Sequence, residues 1–157
     1  MTVLLFLACT SGNERTVTPA FYHWQTTLAL TPAERGYLDS LRCKKLYVKV
    51  LDVGLDPVTG QIQPYSRLEI ADTSGLSSLE VIPVVFLTNS VFHSISEEKM
   101  EWLAERVSSS LLGEDLIRLY PVSGQCTEVQ FDCDWTARTR SNYFNFLKKI
   151  PSIHVTA

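Results

Sequence analysis

The sequence is short of the features that announce the commoner protein classes. Its 157 residues carry 14 lysines and arginines against 17 aspartates and glutamates, a net charge of −3. There is no basic excess to meet a phosphate backbone, so nucleic acid is not expected as a partner. No apolar run reaches membrane-spanning length, and mean hydropathy is near zero at +0.05. The three histidines are scattered, and Cys43, Cys126 and Cys133 have spacings that match no zinc or redox motif, so no metal site is expected. These three read as small apolar residues, without a disulfide framework. No glycine-rich phosphate loop follows the first strand, which disfavours a nucleotide-binding sheet, and no cofactor is expected.

What is present is a core-forming composition, 45% hydrophobic and 20% charged, in a chain long enough for one domain. Val3 to Ala8 is an apolar run ending at Cys9, followed by a polar stretch from Thr10. Leu7-Ala8-Cys9 resembles the cleavage box of a bacterial lipoprotein, although the positive start of such a leader is missing. Residues 1–18 are therefore read as a leader remnant and tether, with Cys9 as the lipidated residue and a lipid anchor as the link to a membrane.

From Pro19 onward, strand and helix signals alternate. Phe21 to Thr26 is an aromatic strand, and Thr31-Pro32-Ala33-Glu34 has the cap, the first-turn proline and the N3 glutamate of a helix start. Leu46 to Val53 reads as a second strand ending in the turn Asp56-Pro57-Val58-Thr59-Gly60. Val81 to Thr88 is apolar almost throughout, as in a parallel strand buried on both faces. Ser94-Ile95-Ser96-Glu97 opens a helix striped by Met100, Leu103, Val107 and Leu111, with Gly113 as its stop. A fourth strand covers 129–135, Thr136 caps a helix that buries Tyr143, Phe146, Leu147 and Ile150, and a fifth strand begins at Ser152. Residues 61–80 carry the weakest signals, with a short extended piece from Ser66 to Ile70.

Strands separated by long crossovers imply an α/β fold with parallel pairing. A complete (β/α) barrel takes about 250 residues. Residues 19–157 are accordingly expected to be the N-terminal half of such a barrel, its first four to five strands.

The stretch Val129-Gln130-Phe131-Asp132-Cys133-Asp134-Trp135 carries the chemistry. By alternation Val129, Phe131, Cys133 and Trp135 point one way and Gln130, Asp132 and Asp134 the other. Ionised carboxylates are costly to bury unpaired, so that face must hold partners, water or a ligand; Lys49 is a candidate counter-ion. Trp24 and Trp135, near strand ends, are candidates for stacking on a substrate, His23 for hydrogen bonding, and Asn89, just past the third strand, for a polar contact.

This motif resembles the fourth strand of chitinase-like glycoside hydrolases, which carry Asp-x-Asp-x-Glu pointing into the barrel, the glutamate being the general acid. Asp132 and Asp134 match the first two acids, and Trp135 an aromatic often found between the second and third. Thr136 stands where the glutamate would be, and a hydroxyl cannot protonate a glycosidic oxygen at neutral pH. More of the chain resembles bacterial lipoproteins with a hydrolase-like barrel, a group without an assigned reaction, through Phe21-Tyr22-His23-Trp24, Pro83-Val84-Val85-Phe86-Leu87-Thr88-Asn89 and Phe131-Asp132-Cys133-Asp134-Trp135-Thr136. The resemblance implies a lipid-anchored protein of the cell envelope that binds or processes a polysaccharide. Asp132 and Asp134 would be its catalytic pair, and Trp135, His23, Trp24 and Asn89 its substrate contacts. The alternatives are a non-catalytic envelope lipoprotein that uses the barrel for binding, and a truncated product without activity of its own.

Overall fold

In a computed structural model of the chain, residues 17–120, 126, 128–151 and 154–156 are described. Cys9 and nearly all of the expected leader and tether lie outside them. The chain builds a mixed α/β fold on a parallel sheet. Strand β1 is Ala20–His23 and β2 Thr27–Leu28, followed by helix α1, Pro32–Ser40. The long strand β3, Lys45–Leu55, is followed by β4, Ile62–Arg67, and β5, Glu69–Ile70. Strand β6, Glu80–Leu87, leads through a 3-10 turn at Asn89–Phe92 into α2, Glu97–Leu111, and the short α3, Glu114–Ile117. Strand β7 is Glu128–Asp132, α4 is Arg140–Leu147 and β8 is His154–Thr156.

Five strands run parallel in the order β1-β3-β6-β7-β8, which is also their order in the chain. β3 and β6 sit centrally, and β6 is buried over nearly its whole length, as its continuous apolar run predicts. Helix α1 begins where expected. The Thr31 hydroxyl accepts the Glu34 N–H, and the Glu34 carboxylate takes the Thr31 N–H at 2.7 Å. Those bonds hold the Glu34 carboxyl below its ordinary pKa. A lowered carboxyl pKa stabilises the fold above the usual carboxylate range, a contribution lost as pH falls through the lowered value. Asp56 behaves in the same way, accepting the N–H groups of Thr59 and Val58 in a turn closed by Gly60 at φ +67°.

Four expectations are corrected. The first strand stops at His23, leaving Trp24 in the following loop. Between β3 and β6 the extended piece expected from Ser66 begins earlier and does not run parallel: β4 turns back antiparallel along β3, pairing Leu55 with Ile62 and Leu51 with Arg67. This hairpin escapes periodicity because β4 is only half-buried and holds Pro64. Helix α2 is capped by Ser96, whose hydroxyl accepts the Lys99 N–H, rather than by Ser94. Finally β7 ends at Asp132; Cys133 to Thr136 form a loop in which the Trp135 N–H bonds to the Cys133 carbonyl at 2.8 Å. Thr139, not Thr136, then occupies the cap position of α4.

One face of the sheet carries the core. Leu38 of α1, Leu103 and Val107 of α2 and Tyr143 and Phe146 of α4 join Leu46, Val48, Val85, Val129 and Phe131 in one apolar cluster. Phe131 meets Phe146 edge to face at 5.5 Å, and the Tyr143 hydroxyl donates to the Phe131 carbonyl at 2.9 Å. These contacts cover one side of the sheet and leave the polar residues of β3 and β7 on the other.

Candidate functional site

Alternation and register together define the opposite face. Tyr22 of β1 lies beside Tyr47 of β3, which lies beside Ile82 of β6. One row further on, Lys49, Val84 and Gln130 are neighbours. Ile82 and Val84 are 1% and 0% exposed yet stand outside the helix-side cluster, so this face has a cover of its own. The cover is polar and aromatic.

A bulge in β3 extends the face. Lys49 is paired with Val84 and Leu51 with Val85, so one extra residue of β3 is accommodated at Val50. Simple alternation would put Lys49 and Asp52 on opposite faces. The extra residue brings them to the same one, where Lys49 Nζ lies 2.8 Å from Asp52 Oδ2. Beyond the bulge Asp52, Phe86 and Asp132 are register neighbours, forming a last row at the C-terminal ends of β3, β6 and β7. Such ends are where α/β proteins place their chemistry.

Over these rows lies an aromatic platform. The Tyr22 and Trp24 rings stack with centroids 5.8 Å apart and planes 11° from parallel, and Tyr22 stacks on Tyr47 at 4.7 Å. Lys49 Nζ sits 5.7 Å from the Trp24 ring centroid, in cation–π range. The Tyr22 hydroxyl donates to Gln130 Oε1 at 2.8 Å. At the N-terminal end Lys45 bridges Glu128 at 2.8 Å and Glu80 at 3.8 Å. The hydrogen bond to Glu128 raises the Lys45 pKa, while burial and then the Glu128 charge raise that of Tyr47. Trp24 remains 45% exposed, so the platform presents a ring to solvent beside an ammonium and carboxylates. An apolar ring face bordered by directed polar groups suits a ligand with one apolar and one hydroxylated surface.

The structure separates the residues singled out in the sequence. Asp132 is half-buried in the last row, and its carboxylate has no hydrogen bond or ion pair among the described residues. Lys49, the expected counter-ion, is committed to Asp52. Asp134 lies past the strand end and is exposed, so the two acids do not share a strand face. Trp135 packs against α4, edge to face with Phe144 at 5.6 Å and under the Arg140 guanidinium at 5.8 Å. His23 neighbours Val48 on the helix side, is buried, and hydrogen-bonds the Thr27 carbonyl through Nε2 at 3.1 Å. Asn89 accepts the hydroxyl hydrogen of the fully buried Thr139, whose Oγ1 accepts the Thr136 N–H at 2.9 Å. Asn89 thus anchors the loop after β7. Trp24 alone of the proposed ligand contacts belongs to the platform.

Tyr22, Tyr47, Asp52 and Gln130 were not singled out as ligand contacts. Tyr47 could have been found from the alternation Lys45, Tyr47, Lys49 against Leu46, Val48, Val50. Asp52 could not, because the bulge reverses its parity. Among the described residues no group of three or more His, Cys, Asp or Glu could hold a metal ion, and no helix is long and apolar enough to cross a membrane. Comparison with protein families, with curated proteins and with solved structures finds no match to the chain.

Cys133 follows directly on Asp132 and is half-buried. Burial first, then the charges of Asp134 and Asp132, push its thiol up to about 11. Such a thiol is almost wholly protonated at pH 8, an effect partly offset by the greater nucleophilicity of the thiolate that does form. In the native protein Cys133 should react with iodoacetamide about tenfold more slowly than glutathione. Asp134→Asn should speed it, as peptide mass spectrometry of timed samples would show. A native rate equal to that of glutathione would contradict the assigned environment.

Proposed function

We propose that the chain is a carbohydrate-binding protein of the cell envelope, built on a glycoside-hydrolase-like (β/α) barrel and anchored by a lipid at Cys9. The platform of Trp24, Tyr22 and Tyr47, flanked by Lys49, Asp52, Gln130 and Asp132, is the observation that carries this reading. A sugar ring has an apolar C–H face and an equatorial rim of hydroxyls. Trp24 offers the first a stacking surface, and the unpaired Asp132 carboxylate and the Gln130 amide offer the second acceptors and donors.

Two features of the sheet support the barrel. The parallel strands follow one another in chain order, without the reversal that defines a doubly wound sheet. Moreover, β1 and β7 are separated by two strands, a distance of roughly 14 Å across a flat sheet at the usual strand spacing. Side chains standing perpendicular to a flat sheet would keep that separation. Tyr22 and Gln130 nevertheless hydrogen-bond over the intervening strands, as expected of a sheet curling toward this face.

Binding is favoured over hydrolysis. Thr136 replaces the glutamate of the glycosidase pattern, and its backbone is engaged in the loop that caps α4. Asp134, exposed beyond the strand, does not join Asp132 on the sheet face.

Isothermal titration with soluble chito- and cello-oligosaccharides tests the reading. At least one series should bind without release of reducing ends. Trp24→Ala should weaken it about tenfold, the worth of a single well-packed ring, and Asp132→Asn should weaken it measurably. Absence of binding across both series and a wider glycan panel, or binding untouched by both substitutions, would sink the proposal.

A further inference from the structure

On the opposite side of the sheet, the hairpin that replaces a crossover helix leaves a second opening. A cleft of about 590 Å³ lies between β4 and α2, over the C-terminal half of β3. Its floor is the protein's own core: Val53, Val107 and Leu111 line it and are all buried. At its rim stand Arg67 of β4 and Arg106 of α2, the latter with its guanidinium 5.7 Å from the Trp102 ring centroid. The volume lies within the range of about 300–1,000 Å³ usual for small-molecule sites.

The electrostatics of this cleft differ from those of the chain. The protein carries a net charge of −3, yet no aspartate or glutamate lines the cleft. Among the described residues neither Arg67 nor Arg106 has an ion pair. Two guanidiniums free of carboxylates, at the mouth of an apolar cleft, are complementary to a single planar anion carried on an apolar body.

We propose that this cleft binds a small organic carboxylate with an aliphatic tail. The tail lies along the half-buried Ile62, Leu68 and Leu116, above the buried floor, and the carboxylate is held by Arg67 and Arg106 at the rim. The site lies across the sheet from the aromatic platform and does not depend on it.

Titration of the whole chain with decanoate, decanol and decylamine, each below its aggregation concentration, decides the matter. Decanoate should bind most tightly, decanol more weakly and decylamine least. An Arg67→Gln/Arg106→Gln variant should lose about tenfold for decanoate, the worth of a charge-assisted bond, and nothing for decanol. Ser109→Phe projects into the cleft from the exposed side of α2 and should abolish binding of both, while Trp24→Ala should affect neither. Thermal melts show whether each variant is folded, and Ser109→Phe supplies a test that spares the arginines. Equal affinity for decanoate and decylamine, decanoate binding unchanged in the double variant, or no binding at all would overturn the proposal.

Discussion

Phe131→Ala is expected to destabilise the protein by about 3–5 kcal/mol, the usual range for deleting a buried phenylalanine ring. Phe131 is fully buried and stands at one end of a chain of rings. It meets Phe146 at 5.5 Å; Phe146 meets Phe92 at 5.6 Å, and Phe92 meets Tyr143 at 5.4 Å. Tyr143 is tied back to the Phe131 carbonyl. The ring is therefore held between strand and helix, and its removal leaves a cavity that neither can close alone. In a domain of this size a midpoint drop of roughly 6–20 °C follows, at about 2–4 °C for each kcal/mol. Phe144→Ala, on the outer side of the same helix, should cost far less. Urea titration followed by circular dichroism compares the two. A loss below about 1 kcal/mol for Phe131→Ala would mean that β7 and α4 do not pack as described.

Lys49→Met is expected to cost about 2–3 kcal/mol, below the range for a fully buried pair because both partners keep some solvent. Lys49 and Asp52 have side chains 19% and 18% exposed. Asp52 Oδ1 is buried with no hydrogen-bond partner among the described residues, so the ammonium on Oδ2 is the main compensation for burying the charge. Without Lys49 the carboxylate is stranded among Val84, Phe86 and the aromatic platform. Asp52→Leu in the same chain removes the stranded charge, and the double variant should recover most of the loss. Equilibrium unfolding of the two single variants and the double variant gives the coupling. Additive losses would show that the two groups do not depend on each other. Lys49→Met should also weaken any ligand held by Trp24, since the ammonium at 5.7 Å helps fix that ring.

The sequence specified the helices well where the signal was local. Thr31, Pro32 and Glu34 start α1 where the capping pattern places it, and Tyr143 and Phe146 give α4 its buried face. The continuous apolar run through β6 correctly implied a strand covered on both sides. The candidate site was less legible. Asp132 was identified and does stand on the sheet face away from the helices. His23 and Trp135 belong to other surroundings: His23 lies on the helix side beside Val48 and bonds the Thr27 carbonyl, and Trp135, beyond the end of β7, packs on Phe144 and Arg140 of α4. The β4 hairpin left little trace in the pattern, since a half-buried strand with a proline has no clear period.

By itself, then, the amino-acid order determined which side chains share a face along each unbroken run of strand or helix, because pleat and helical pitch are properties of the local backbone. It determined the cap of α1 and the turn at Asp56 for the same reason. Only the tertiary structure decided which sheet face the helices cover, how the bulge at Val50 turns Asp52 toward Lys49, and where β7 stops. Those outcomes depend on pairing register and packing between segments tens of residues apart, which no local period records. The aromatic platform is their product: Tyr22, Trp24 and Tyr47 become one surface only when β1 is laid beside β3.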